Sequence, residues 1–429
     1  MRMGIDEAGE WLREQLPRLA EQHAVPGVAV AIDAGGQVVE AAAGVLSTAT
    51  GVEATTDSVF QIGSITKALT ATLVMGLVHE GLVELDAPAS TYLPGFRKAT
   101  VRQLLCHTAG FEGDVFTDTG KGDDCLERYV DLLADVPQIF EPGAMFSYNN
   151  AGYSVLGRIV EVIRGEPFDR CMRDHLFTPL GMTHAANDPY EAILHRAAVG
   201  HLGGRPAPVW AMARSNAPAG SMLAMTPRDL LAFARTHLTD DRLTAMREPQ
   251  VALPDIGWGT AWGLGWELYD LPGGPVFGHD GNTIGQSAAL RVDPRRDVSV
   301  AIFTNGGDRK PLMKEILGRA VETPAEPVPE PAARPDAGRC TGVYLSSTSR
   351  TTVSEDAQGR LWLEYVPLGF AVQAGDQPYR TELLGWRGDS LLPAEPGRGP
   401  VAFLGDDGEG RARYLHTGRA DARVPGRNS

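Results

Sequence analysis

Phe60 to Pro88 reads FQIGSITKALTATLVMGLVHEGLVELDAP, and this stretch decides the fold. The strand-like run Val59-Phe60-Gln61-Ile62 ends at Gly63. From Thr66 the apolar residues Leu69, Leu73, Val74, Leu77 and Val78 recur at helical spacing. Gly81 marks the C-terminal stop of that helix. A strand therefore turns into a helix at a sharp corner, and Ser64 and Lys67 stand on it. Helical residues three apart share a face, so the two side chains can meet. A serine hydroxyl is a poor nucleophile until a neighbouring base takes its proton. A lysine serves as that base when burial and positive surroundings depress its pKa. The helix start also points backbone N–H groups outward, which makes the Ser64 N–H one half of an oxyanion hole. Ser-x-x-Lys alone is a weak signal, because helices often begin with Ser and carry Lys on an exposed face.

Outward from this corner, Val28 to Asp33 and Gln37 to Gly44 alternate around Ala34-Gly35-Gly36, the pattern of a hairpin. The middle of the chain, from Val101 to Phe233, reads as mostly helical with Gly- and Pro-rich loops. Strand candidates follow in PVFGHDG, QSAALRVDP and VSVAIFTNGG. Strands at both ends with helices between them predict one sheet assembled from distant segments and faced by helices. Ahead of it, Trp11 to Gln22 reads as an amphipathic helix with Trp11, Leu12, Leu16 and Leu19 turned inward.

Val321 to Gly338, with Pro324, Pro327, Pro329, Pro331 and Pro335, predicts an extended linker without regular structure. It separates a large mixed domain, 1–320, from a small one, 339–425. The short runs Leu361 to Tyr365, Thr381 to Trp386, Val401 to Leu404 and Arg411 to His416 predict a small antiparallel barrel or sandwich. No catalytic constellation is visible in this tail.

The 429 residues are 43% hydrophobic and 22% charged, enough for a large core and against global disorder. A formal net charge of −15 argues against non-specific binding of nucleic acid, which needs clustered positive charge. The N-terminal residues lack the basic start and apolar run of an export signal, so a cytoplasmic setting is expected. No apolar run is long enough to span a membrane. The four cysteines, Cys106, Cys125, Cys171 and Cys340, form no C-x-x-C pair and are expected to be reduced. No metal site is expected. Cys106 beside His107 reads as a buried structural thiol.

Five segments, in order, resemble the penicillin-recognising serine enzymes, most closely the class C β-lactamases with their esterase and D-aminopeptidase relatives. They are the stretch quoted first, VRQLLCHTAGF, FSYNNAGYSVLGRIVE, NAPAGSMLAMTPRDLLAFA and FGHDGNTIGQSA. The resemblance implies an α+β fold, an antiparallel sheet flanked by helices with a helical subdomain. It also implies that the tail, opening at Cys340-Thr341-Gly342-Val343-Tyr344, is a lipocalin-like all-β domain. It implies roles as well. Ser64 attacks a carbonyl, Lys67 relays its proton, and Tyr148, as a phenolate or in a shared-proton network, is general base. Asn150 orients Lys67 and the substrate amide, and Asn149 or Asn150 caps the following helix. His279 and Gly281 line the cleft on an edge strand, and the Asn282 N–H completes the oxyanion hole.

Many relatives carry Lys-Thr-Gly where this chain has His279-Asp280-Gly281. A permanent ammonium suits the carboxylate of a β-lactam, whereas a histidine is only partly charged near neutral pH. The expected activity is therefore acyl transfer from an ester or amide, such as a D-amino-acid-containing peptide, without metal or cofactor. The alternative implied by the same resemblance is a penicillin-binding-protein-type thioesterase that cyclises a nonribosomal peptide delivered as a thioester on a carrier protein. A β-lactamase and a non-catalytic binding module are the lesser readings.

Overall fold

The computed structural model describes residues 4–96, 99–330 and 336–425. The hairpin forms as the alternation predicts, with Gly27–Ala34 paired to Gln37–Gly44 and Gly35 and Gly36 both at positive φ in the turn. Gly27–Ala34 then pairs on its other side with Val298–Thr304, joining the two ends of the large domain. The complete sheet has eight antiparallel strands. Their order is Gln37–Gly44, Gly27–Ala34, Val298–Thr304, Ser287–Asp293, Val276–Asn282, Glu267–Tyr269, Ala261–Trp262 and Val251–Ala252.

Helices cover both faces. On one, Leu12, Leu16 and Leu19 of Ile5–Gln22 pack with Leu312 and Ile316 of Arg309–Ala320 against Val28, Val30 and Ile302. Trp11 sits at the rim, under Arg319. On the other, the helix Thr66–His79 is buried along most of its length, between the sheet and the helix Asn150–Arg164. Hydrophobic burial on both sides explains why its sequence is apolar nearly all round. The middle segment is less helical than its composition suggests. Helices Val101–Leu105 and Cys125–Leu132 are separated by a long irregular stretch held by side-chain bonds, such as Thr119 Oγ1 to the Cys125 carbonyl at 2.6 Å.

Residues 322–330 carry no helix or strand, as expected of the proline-rich segment, while Pro331 and Pro335 lie outside the described residues. The segment is docked, with Glu330 N–H bonded to the Gly385 carbonyl at 2.9 Å. Regular structure resumes before its predicted end, in the short helix Ala337–Cys340, because the Asp336 side chain caps it by accepting from the Arg339 N–H.

The tail is a closed eight-stranded antiparallel barrel, from Gly342–Leu345 to Ala420–Arg423. Tyr344, Leu363, Leu383, Phe403 and Leu415 fill its interior. Its last hairpin, Tyr414–His416 with Ala420–Arg423, turns back onto the large domain. Tyr148 N–H donates to the Gly418 carbonyl at 2.9 Å, and Ala420 N–H donates to Ser147 Oγ at 3.1 Å. His416 Nε2 lies 2.8 Å from the Phe146 carbonyl. All four cysteines are free and buried. Among the described residues no helix is long and apolar enough to cross a membrane.

Candidate active site

Ser64 lies in the single turn Gly63–Ile65 that runs directly into the helix Thr66–His79. Its position is set by close backbone approaches that only glycine permits. A Cβ on Gly281 would stand 1.8 Å from the Ile62 carbonyl oxygen, and one on Gly220 would stand 2.2 Å from that of Gly63. Those same two positions are 3.1 and 2.9 Å from Ser64 N. The loop after Pro218 and the strand Val276–Asn282 are thereby pressed against the Ser64 turn.

Lys67 Nζ is 3.1 Å from Ser64 Oγ and donates to the Ala219 carbonyl at 2.6 Å. Its side chain is wholly buried, 4.9 Å over the Tyr148 ring. Burial, and then the charge of Arg419, hold its pKa well below the usual lysine value, with Asp114 pulling the other way. A lysine so placed is readily neutral, with a lone pair free for the serine proton.

Tyr148 is 7% exposed, with its buried hydroxyl beside Ser64. Burial raises its pKa, against the opposing pull of Ser64 and Arg419. Desolvation outweighs the nearby charges, which favours a neutral phenol over the phenolate and leaves the shared-proton network open.

Asn149 is the helix cap, accepting from the Gly152 N–H at 2.7 Å. Asn150 begins the helix Asn150–Arg164, and its amide donates to Asp114 Oδ1 at 2.7 Å. Lys67, which Asn150 was expected to orient, is held instead by Ser64 and Ala219.

His279, 3% exposed, is on the interior strand Val276–Asn282 and not on an edge strand of the sheet. Its neighbour Glu267–Tyr269 pairs only with Val276 to Gly278, so His279 to Asn282 have a partner strand on one side alone. The free side provides the expected local edge. His279 Nδ1 lies 2.6 Å from the Asp280 carbonyl, which fixes the proton on Nδ1 and leaves Nε2 as a bare acceptor. Burial and Lys67 push its pKa down to about 3. It is neutral, and not partly charged as the sequence suggests. Asp280 points outward to an ion pair with Arg291.

His107 stacks on Tyr148 with ring centroids 4.3 Å apart and accepts the Asn149 N–H at Nδ1, 2.9 Å away. It supports the ring and the helix cap together. Burial raises the Cys106 thiol pKa, in keeping with a structural thiol.

Sequence reasoning missed Arg419 and Asp114. Arg419, in the turn of the terminal barrel hairpin, forms an ion pair with Asp114 and lies 5.1 Å over the Tyr148 ring. Gly418 beside it fits against Trp258, whose ring would stand 2.6 Å from a Cβ there. The tail, in which no site residue was visible, thus supplies one wall of the cleft. Among the described residues no cluster of His, Cys, Asp and Glu could hold a metal ion.

A profile of the Beta-lactamase family matches residues 12–323, nearly three quarters of the chain. Penicillin-binding protein 4 of Amycolatopsis lactamdurans is 43% identical over 377 residues, spanning 80% of this chain and 98% of the relative. Esterase EstB of Burkholderia gladioli is 32% identical over 213 residues, 44% of this chain and 54% of its own. The crystal structure of SurE superposes with a TM-score of 0.82 at 29% identity, covering 98% of this chain and all of that one, and SurE with D-Leu superposes at 0.79. The chain belongs to the Beta-lactamase family and is a serine-based enzyme of that fold.

Proposed function

We propose that this protein is an acyl-transfer hydrolase with Ser64 as nucleophile, acting on esters or amides of D-amino acids. The observation that carries the reading is the buried Lys67 Nζ, 3.1 Å from Ser64 Oγ. Ser64 Oγ attacks the substrate carbonyl carbon and its proton passes to Lys67. The N–H groups of Ser64 and Asn282 receive the oxyanion. The neutral Tyr148 phenol passes a proton to the leaving group and is reprotonated from Lys67. An incoming nucleophile then repeats these transfers in reverse and releases Ser64. Asn150, steadied by Asp114, and the bare Nε2 of His279 flank the substrate amide. Cleft-lining His279 is uncharged, which disfavours anionic β-lactams. The likeness to SurE, whose structure was solved with D-Leu, supports a D-amino acid in the acyl or leaving portion. The barrel's eight closed strands fit the lipocalin-like shape, with a core filled by side chains.

The burial of Lys67, Tyr148 and His279 supports a second reading, in which an amine and not water resolves the acyl-enzyme. In that case a peptidyl thioester from a carrier would leave as a macrocycle. Labelling by a fluorophosphonate tests the first reading, with a mass increase confined to the peptide containing Ser64. Product masses from a synthetic peptidyl thioester separate the two, because the linear acid is one water heavier than the ring.

A further inference from the structure

The seam between barrel and large domain holds a small cavity beside Tyr148. Glu112, Ser147, Ser346, Arg419 and Asp421 line it with Tyr148. Its volume is about 20 Å³, room for one water-sized group. The wall is built from both parts of the chain. Glu112 Oε1 accepts the Asp114 N–H at 3.1 Å, and its Oε2 accepts the N–H of Ser347 in the barrel at 3.2 Å. Asp421, nearly buried in the barrel, accepts from Ser349 Oγ at 2.7 Å.

The charges around this space do not balance. Arg419 is committed to Asp114, and that carboxylate also takes the Asn150 amide. Neither Glu112 nor Asp421 forms an ion pair among the described residues. Two carboxylates face a confined space with one guanidinium between three acidic groups, and Asp421 feels Glu112 as a like charge and Arg419 as an opposite one. Water would fill the volume but would leave the charge. An anion is repelled, and a guanidinium is too large for a space of about one water. A primary ammonium matches the size, the sign and the surrounding hydroxyl and carboxylate acceptors.

We propose that this cavity is an ammonium subsite that seats the free amino group of the substrate. It rests on the reading of Ser64 as nucleophile, because Tyr148 is shared by the cavity wall and the acyl site. The enzyme then selects acyl donors that carry an unblocked amine close to the scissile carbonyl. Arg419 acts in it as a neutralised wall and not as a carboxylate clamp.

The test compares D-leucine 4-nitrophenyl ester with its N-acetyl form on the full-length protein, at a pH where the amine is protonated. The free-amine ester is expected to win by about tenfold or more in kcat/KM, mostly through KM. In Asp421→Asn and in Glu112→Gln that ratio is expected to collapse toward unity. A wild-type ratio near one, or a ratio untouched by both variants, overturns the subsite. Fluorophosphonate labelling of Ser64 runs beside these assays. Its loss in wild type overturns the nucleophile reading, and its retention in each variant shows that the variant is folded. Should neither ester turn over, D-leucinamide and N-acetyl-D-leucinamide are compared as protectants against the label. Stronger protection by the free amine supports the subsite, and equal or absent protection overturns it.

Discussion

Arg419 and Asp114 form an ion pair across the seam, and the guanidinium lies 5.1 Å over the Tyr148 ring. The pair connects the barrel's last hairpin to the irregular stretch between Val101–Leu105 and Cys125–Leu132. Removing either member leaves the other partly buried and unpaired. The Arg419 side chain keeps 35% of its exposure, so the cost is below that of a fully buried pair. Arg419→Ala is expected to lower stability by about 1–3 kcal/mol. Added to Asp114→Asn, it should cost less than the sum of the two. Thermal melts of the single and double variants measure both quantities.

The same guanidinium helps to depress the Lys67 pKa, after burial. Acylation should therefore be level in alkaline buffer and fall with decreasing pH, around a midpoint below the ordinary lysine value. Arg419→Gln removes the positive charge, so the midpoint should move to higher pH. The rate of fluorophosphonate labelling against pH reports the shift. A profile identical to wild type would show that Arg419 does not act on the base.

Stability and activity should part company at Lys67. Its amine is fully desolvated and bonded to Ser64 and Ala219. Lys67→Met keeps the length and removes the desolvated amine, so the melting temperature should hold or rise while activity drops by about 10²–10⁴. Ser64→Ala should abolish labelling with an unchanged melt.

Gly281 is a steric requirement of the Ser64 turn. The added Cβ of Gly281→Ala would stand 1.8 Å from the Ile62 carbonyl oxygen, and backbone must move to relieve it. We expect a loss of about 2–4 kcal/mol together with most of the activity. Gly76→Ala, where nothing lies within 4 Å of the new atom, is the matched control. Chemical denaturation distinguishes the two.

Asp421 makes stability depend on pH. Burial raises its pKa from 3.8 to about 6, with Ser349 and Ser346 opposing. The folded protein therefore takes up this proton before the unfolded chain does. Its contribution is fully present below the unfolded value and is lost as pH rises through about 6. Asp421→Asn should abolish a gain on the order of 2–3 kcal/mol between neutral pH and pH 4. The difference between wild-type and variant stability curves isolates it from other carboxylates.

The meeting of Ser64 with Lys67 and the Asn149 cap were readable because their geometry is local. The first two residues are one helical turn apart, and the third caps the helix that follows it. The hairpin, the late strands and the barrel were readable from period-two alternation around glycine turns. What stayed hidden depends on contacts between distant segments. Arg419 and Asp114 are 305 residues apart, in loops whose composition is that of any solvated turn. The neutral states of Tyr148 and His279 were also out of reach, since burial sets them and the sequence does not state burial. Pairing on one side only at His279 to Asn282 depends on where the neighbouring strand stops, at a boundary that alternation locates poorly.

The barrel's last hairpin adds one wall of the cleft more than 350 residues after Ser64 in the order of synthesis. Ser64, Lys67 and the sheet are made long before Gly418 and Arg419 emerge. A copy halted within the barrel would carry Ser64 and Lys67 but lack the carbonyl that holds Tyr148 and the guanidinium that pairs with Asp114. Order of synthesis thus leaves the cleft open on this side until the barrel's last hairpin has been made.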